Sequence, residues 1–385
     1  MTDTLSNPIA LGFEPRVWLG APAPGGLALP SAVPAADTMY GPRGVWFDDS
    51  TLVVCDSGNH RILIWNEFPT SDHAPADIVL GQPSMSDEGP KLLHLPTCAA
   101  MVEGRLVVAD AWHHRLLIWN TLPTDNDTPP DAVIGQPDLD AAEPNRGATT
   151  ALRNGFYWPY AFAMVGGRFF VADTGNRRVL AWPRFPEPGE PPAFLIGQDD
   201  WTDRAENRDG PVGPLTFRWP HAIAGEDGAL FVSDAGNHRV LGWTNAHTAC
   251  DGADPDIVLG QTDFTSSKEW PYGPQAANVH RFPYCVSTDR GTLAISDTAN
   301  NRVLIHNTPP TPGCAAPADG VLGQHDMTAN GENRWKSVDP DTLCWPYGLH
   351  LRRDTLAIAD SGNNRVTIWT RDPSPLSPSE TTEGN

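Results

Sequence analysis

The chain has no uninterrupted apolar run of about 18 residues, which excludes a membrane-spanning helix as an expectation. Its start, Met-Thr-Asp-Thr-Leu-Ser-Asn-Pro, has neither the basic nor the apolar region of a signal peptide, which points to the cytoplasm. Cysteine is scarce: six in 385 residues cannot form a disulfide framework, and reduced thiols suit that compartment. Basic residues are scarce too. There are 26 Lys and Arg against 47 Asp and Glu, a net charge of -21, so phosphate backbones and anionic membranes repel the chain as a whole. Gly-x-Ser-x-Gly, His-Glu-x-x-His and a phosphate-binding loop are all missing, which removes the common hydrolase, metalloprotease and nucleotide signatures.

What the chain does have is turns. Its 35 Gly and 39 Pro are dispersed along the sequence. Within that pattern one stretch recurs: Asp56-Ser-Gly-Asn-His-Arg61, Asp173-Thr-Gly-Asn-Arg-Arg178, Asp234-Ala-Gly-Asn-His-Arg239 and Asp360-Ser-Gly-Asn-Asn-Arg365. Looser copies are Asp110-Ala-Trp-His-His-Arg115 and Asp297-Thr-Ala-Asn-Asn-Arg302. Prolines 42, 96, 159, 220, 283 and 346 each stand 14 residues before a repeat's Asp, which fixes the register of one unit.

Each unit reads as four short strands. One follows the Pro, one ends at the Asp, one follows the Arg, and one ends in Leu/Ile-Gly-Gln, as at Val79–Gln82 and Val258–Gln261. Four strands in a repeat of roughly 60 residues make a propeller blade. The last unit, Pro346 to Trp369, lacks its fourth strand, and the unpartnered Val17-Trp-Leu-Gly20 supplies it. The expected fold is therefore all-β: a six-bladed β-propeller of four-stranded antiparallel blades. An N-terminal strand at about 17–20 completes the last blade and closes the ring, leaving no open sheet edge. Residues 1–16 read as an arm, 17–370 as the propeller and 371–385 as a disordered tail.

The signature resembles that of the NHL-repeat family: an apolar strand ending in Asp, a Gly-Asn-x-Arg turn, and an upstream Pro-x-Gly as in Pro42-Arg-Gly44 and Pro346-Tyr-Gly348. The resemblance covers about residues 17–370 and implies the same six-bladed ring. It implies no single activity, since the family includes scaffolds, RNA binders and lyases. Its lyases acting on peptidyl-hydroxyglycine use a channel zinc held by histidines; here only His221 stands at that level.

The repeated Asp and Arg read as structural, because a residue present in every blade holds the blade. Trp65, Trp119, Trp182, Trp243 and Trp369 likewise read as packing between blades. Function is expected where the symmetry breaks. The residue after each Pro gives an axial ring of Arg43, Thr97, Tyr160, His221, Tyr284 and Tyr347, which can hydrogen-bond and stack a ligand at the channel mouth. In the second blade a short loop, Gly81 to Pro96, lies beside Trp112 and His113, a candidate docking notch. The next axial position is small in every blade, and Cys98 and Cys285 face each other there as possible thiolate ligands on the axis for a soft or transition metal, copper or zinc. Cys344 offers a third thiol, and His94, His280 and His350 lie at unequal offsets.

Two readings stay open. One is a rigid binding or scaffold propeller for a small molecule, or for a peptide or protein, at the top face. The other is a metal-dependent enzyme or soft-metal-binding protein using the axial thiolates, so whether the chain is an enzyme is not decided. RNA binding ranks last, because the axial ring offers only Arg43 and His221 as basic residues.

Overall fold

The computed structural model describes residues 10–20, 32–269 and 275–371. Most of the expected arm and nearly all of the expected tail lie outside those residues, as do parts of the Gly20–Pro42 and Gly260–Pro283 loops. Six sheets, each built on four antiparallel strands, form the six blades of a β-propeller, and in the first five those four strands stand in chain order. In the third blade these are Pro159–Val165, Arg168–Asp173, Arg178–Trp182 and Phe194–Ile196. The sixth blade takes Pro346–Arg352, Thr355–Asp360 and Arg365–Arg371, and its outer strand is Phe13–Gly20. That closing strand begins at Phe13 rather than Val17, and its pairing runs from Phe13 with Arg371 to Gly20 with Arg365, across a bulge between Pro15 and Val17. The fourth blade gains a fifth, parallel strand, Gly313–Cys314, borrowed from a loop of the fifth.

The strands are short because each needs only to span one flat layer, and their side chains meet the next blade rather than a central core. Six main apolar clusters result, each shared by two neighbouring blades. One joins Phe170, Val179 and Ala181 of the third blade to Ile223, Val232 and Trp243 of the fourth. Another joins Val17, Leu19 and Ile368 to Val45, Leu63 and Trp65, so the sixth and first blades pack as the others do. The recurrent tryptophans are buried in these seams. In four blades the indole N–H ties down the loop that follows, as Trp65 does to the Ala74 carbonyl at 3.0 Å and Trp119 to that of Thr128 at 2.8 Å.

Each signature turn is one polar latch. Asp Oδ1 accepts the backbone N–H of the residue 16 positions earlier, at 2.6–2.9 Å in all six blades. Asp Oδ2 accepts the Nε–H of its Arg at 2.7–3.0 Å. It also takes the Asn side chain, or in the second blade meets His113 Nδ1 at 2.9 Å. The rest of the guanidinium donates to carbonyls of the incoming loop, as Arg302 does to Ala276 and Val279. The six Asp side chains are completely buried, and the Arg side chains almost so.

The residue between Asn and Arg has a second duty. It sits in the left-handed region (φ 53° to 57°) and reaches into the next blade. His60 Nδ1 accepts the N–H of Leu95, His114 that of Trp158, and His238 that of Phe282, at 3.1–3.2 Å. Asn301 and Asn364 do the same for Trp345 and Gly41 at 2.8 and 2.9 Å. These five recipients all carry positive φ, near 50°. Arg177 has no acceptor to offer. Its neighbour Trp219 stays out of the left-handed region and turns its N–H to Asp234 instead, at 3.3 Å. A third bond, from Ser57, Thr298 and Ser361 hydroxyls to the carbonyls of Pro96, Pro346 and Pro42, also crosses between blades, the last one at the closure.

Two outcomes follow. Asp297→Asn leaves Arg302 charged and buried without its counter-ion, and should cost about 3–5 kcal/mol in urea-denaturation free energy. For acid sensitivity, burial pushes His60 and His114 down to about 4, and the neighbouring imidazoles reinforce this. The unfolded chain titrates them near ~6.5. It therefore binds more protons than the fold between those values. Their stabilisation is full above that window and is lost as the pH falls through it. Melting temperature should drop between pH 7 and 4, and His60→Asn/His114→Asn should flatten that drop, since Asn already serves in two blades.

Candidate functional site

The sites on the axis follow from how the first strands begin. In blades three to six the register slips just after the Pro, between Pro159 and Ala161, Pro220 and Ala222, Pro283 and Cys285, and Pro346 and Leu349. A slip of this kind re-aims a side chain, and here Tyr160, His221, Tyr284 and Tyr347 turn toward the axis. They close into a chain of rings. Tyr160 meets His221 edge-on at 4.6 Å, His221 meets Tyr284 at 4.2 Å, and Tyr284 meets Tyr347 at 4.4 Å. Arg43 lies over Tyr347 at 4.9 Å, and its positive charge acts on Tyr160 at the other end of the chain of rings.

The sequence-derived ring thus assembles, with one member in a different role. Thr97 is buried, and its hydroxyl donates to the Tyr160 carbonyl at 2.8 Å, so it braces the wall. Trp112 stands outside the ring, its rings 5.5 Å from Trp158 and 5.6 Å from His94. His94 in turn contacts His60 at 5.0 Å and His113 at 5.4 Å, so the notch beside the short loop is a patch of imidazoles and indoles.

The enclosed space is small, a cavity of about 80 Å³. At roughly 30 Å³ per water it holds two or three waters' worth of ligand. Its lining carries one permanent charge, Arg43, and no carboxylate; among the described residues Arg43 forms no ion pair. Burial pushes His221 down to about 3, and its Nδ1 lies 2.9 Å from the Trp219 carbonyl, the geometry of a neutral, donating Nδ1–H. Burial also raises Tyr160 and Tyr284, the latter further raised by the neighbouring phenols. Near neutral pH the phenols hold their protons and the imidazole is uncharged, so the pocket is a cation set among neutral donors and acceptors.

Beneath it the small ring is crowded, as expected. A Cβ on Gly348 would come within 2.3 Å of the Arg43 carbonyl oxygen, and one on Gly44 within 2.6 Å of that of Thr97. Cys98 and Cys285 do line the axis at this level. Burial pushes them to about 12 and about 11, and Cys285 donates to the Leu349 carbonyl at 3.6 Å. They are thiols rather than thiolates. Cys344 is buried against Gly362 and lines neither axial cavity. His280 lies under Gly260, and His350 lines the channel lower down. Among the described residues no three His, Cys, Asp or Glu side chains gather as a metal site. Two axial thiols fall short of the three or four convergent ligands a zinc site takes, and one axial histidine at this level does not fit a histidine-held zinc.

Below the small ring the channel widens to about 410 Å³ and opens on the opposite face. This chamber was missed in the sequence, although a signal existed. Four residues past each Pro stand Trp46, Ala100, Ala163, Ala224, Ser287 and His350, an alignment as regular as the one that gave the upper ring.

No family model and no curated protein matches the chain. Among solved structures it is similar to a Bacteroides thetaiotaomicron protein of unknown function, at TM-score 0.51 and 12% identity over 93% of this chain and 75% of that one. It is also similar to the WD40 β-propeller domain of Doa1, at TM-score 0.46 and 11% identity over 94% and 98% of the two chains. A streptogramin B lyase gives TM-score 0.42 and 12% identity over 89% and 96%. At these identities the likeness is one of fold alone.

Proposed function

We propose that the chain is an NHL-type propeller that binds a peptide segment, free or part of a protein, across its top face, with one acidic group entering the axial pocket at Arg43. The observation that carries this reading is where the exposed apolar side chains lie. Among the described residues the exposed large hydrophobics are Val33, Tyr40, Trp112, Leu139, Trp335 and Trp345. All six belong to the loops and turns of the face that bears the axial mouth. Exposed aromatic side chains gathered on one face mark an interaction surface.

Size favours a peptide over a free small molecule. Pockets for drug-sized ligands run to about 300–1,000 Å³, whereas this one has about 80 Å³, room for one terminal group or side-chain tip. Charge favours an acid. A half-buried guanidinium with aromatic and phenolic neighbours and no carboxylate partner is the attractive point for one, in a chain whose net charge is otherwise -21. His221, Tyr160 and Tyr284 supply neutral hydrogen bonds around it. Six unpaired cysteines fit a reducing, cytoplasmic setting.

Selection of a random peptide library on the immobilised full chain, followed by calorimetry, tests this. Selected peptides should carry Asp, Glu or a free C-terminus and compete with one another. Arg43→Gln should weaken them about 100-fold, in line with truncating one partner of a desolvated charge pair, and Trp112→Ala about tenfold or more. Binders indifferent to both substitutions would overturn the reading.

A further inference from the structure

The lower chamber is not used by the top-face reading, and its wall is asymmetric in a way that six equal blades do not require. Blades two to five present Ala100, Ala163, Ala224 and Ser287 to it, side chains of one carbon or a hydroxymethyl. The two remaining neighbours, blades six and one, present His350 and Trp46, stacked at 6.1 Å with 27° between their planes. An aromatic wall thus faces a wall of small residues across the channel, and the gap between them is a slot. We infer that this slot is a binding site for a planar, uncharged aromatic molecule that stacks on Trp46.

The chemistry of the lining selects that class. Several of its polar groups are already engaged within the wall. His350 Nδ1 accepts the N–H of Phe47 at 3.2 Å, so its imidazole is neutral. The Ser287 hydroxyl accepts the N–H of Leu351 at 3.0 Å, and Thr288 donates to Glu226 at 3.0 Å. The one carboxylate of the lining, Glu103, is exposed on the turn at the outer edge. An ionic ligand would lose its hydration without a counter-charge, whereas an apolar ring would lose little. Met101 and Met164, half-buried on neighbouring strands, are adaptable side chains that accommodate ring edges. A volume of about 410 Å³ admits a bicyclic or tricyclic ring system and lies within the usual range for small-molecule sites. The slot and the upper pocket share Cys98, Ala161, Ala222 and Cys285 in their walls, but Arg43 lines only the upper one.

Calorimetric titration of the full chain with 2-naphthol, and with naphthalene-2-sulfonate as the charged comparator, tests the inference. One saturable 2-naphthol site is expected, with the sulfonate at least tenfold weaker. Trp46→Ala should weaken 2-naphthol about tenfold or more, Trp46→Phe should retain most of the affinity, and Ala163→Phe, which fills the slot from the opposite wall, should abolish binding. Arg43→Gln should leave it unchanged, which separates this site from the peptide face. The inference is overturned by the absence of saturable binding up to the solubility limit, by equal affinity in Trp46→Ala, or by loss in Arg43→Gln. A melting curve on each variant establishes that it is folded. If Ala163→Phe is not, the contrast between Trp46→Phe and Trp46→Ala decides.

Discussion

The buried Asp–Arg pair is the constraint on which the rest of the molecule depends. A charge pair taken fully out of water stabilises a fold only when every remaining lone pair and proton finds a partner. In the third blade the partners are all local. One carboxylate oxygen holds the backbone before the first strand, the other holds Arg and Asn, and the remaining guanidinium protons hold loop carbonyls. Because those loop contacts are to backbone, they fix the path of each top-face loop without specifying its side chains. Architecture and recognition are thereby separated within the same few residues. The loops are free to carry Trp112, Trp335 or Tyr40 while their backbones stay where the latch puts them.

That separation explains what could be read from the sequence. The Asp, the Asn, the Arg and the Pro must recur with one spacing, since the same bonds are made six times, so blade count, register and closure were all legible. The axial ring was legible for the same reason: Arg43, Tyr160, His221, Tyr284 and Tyr347 share one offset. What could not be read was distance across the ring. The offset says that five side chains share a level, but not that they touch and leave only about 80 Å³ between them. Nor does it say that Thr97 spends its hydroxyl on a neighbouring strand. Nor does it say which further ligands stand near Cys98 and Cys285; among the described residues no group of three His, Cys, Asp or Glu side chains forms there, and that too is a property of the assembled ring.

The residue between Asn and Arg is a subtler case. Its variation among His, Asn and Arg looks like drift along the sequence, yet in space five of the six copies perform one task, accepting an N–H from the next blade. Two chemically different side chains, imidazole and carboxamide, meet the same requirement for one acceptor at one reach. The exception, Arg177, is matched by a change in the backbone it would have served. A position that tolerates several residue types can therefore still be tightly specified, by an atom rather than by a name.

The closing strand has a consequence for how the molecule is made. Phe13–Gly20 emerges from the ribosome well before Arg365–Arg371, with which it pairs, has been synthesised. Each of the first five blades can assemble as its own hairpins appear, but the sixth draws on both ends of the ring and cannot. During translation the nascent chain is an open arc that exposes an apolar blade face at its ends and leaves Phe13–Gly20 unpaired, a state prone to joining the wrong neighbour. Its last event is a long-range search between segments separated by almost the whole array, slow because so much chain entropy must be lost before the first bond forms. The ring is thus a product of completed synthesis, and a chain halted within its last blade would leave Val17, Leu19 and the first blade's inner seam uncovered.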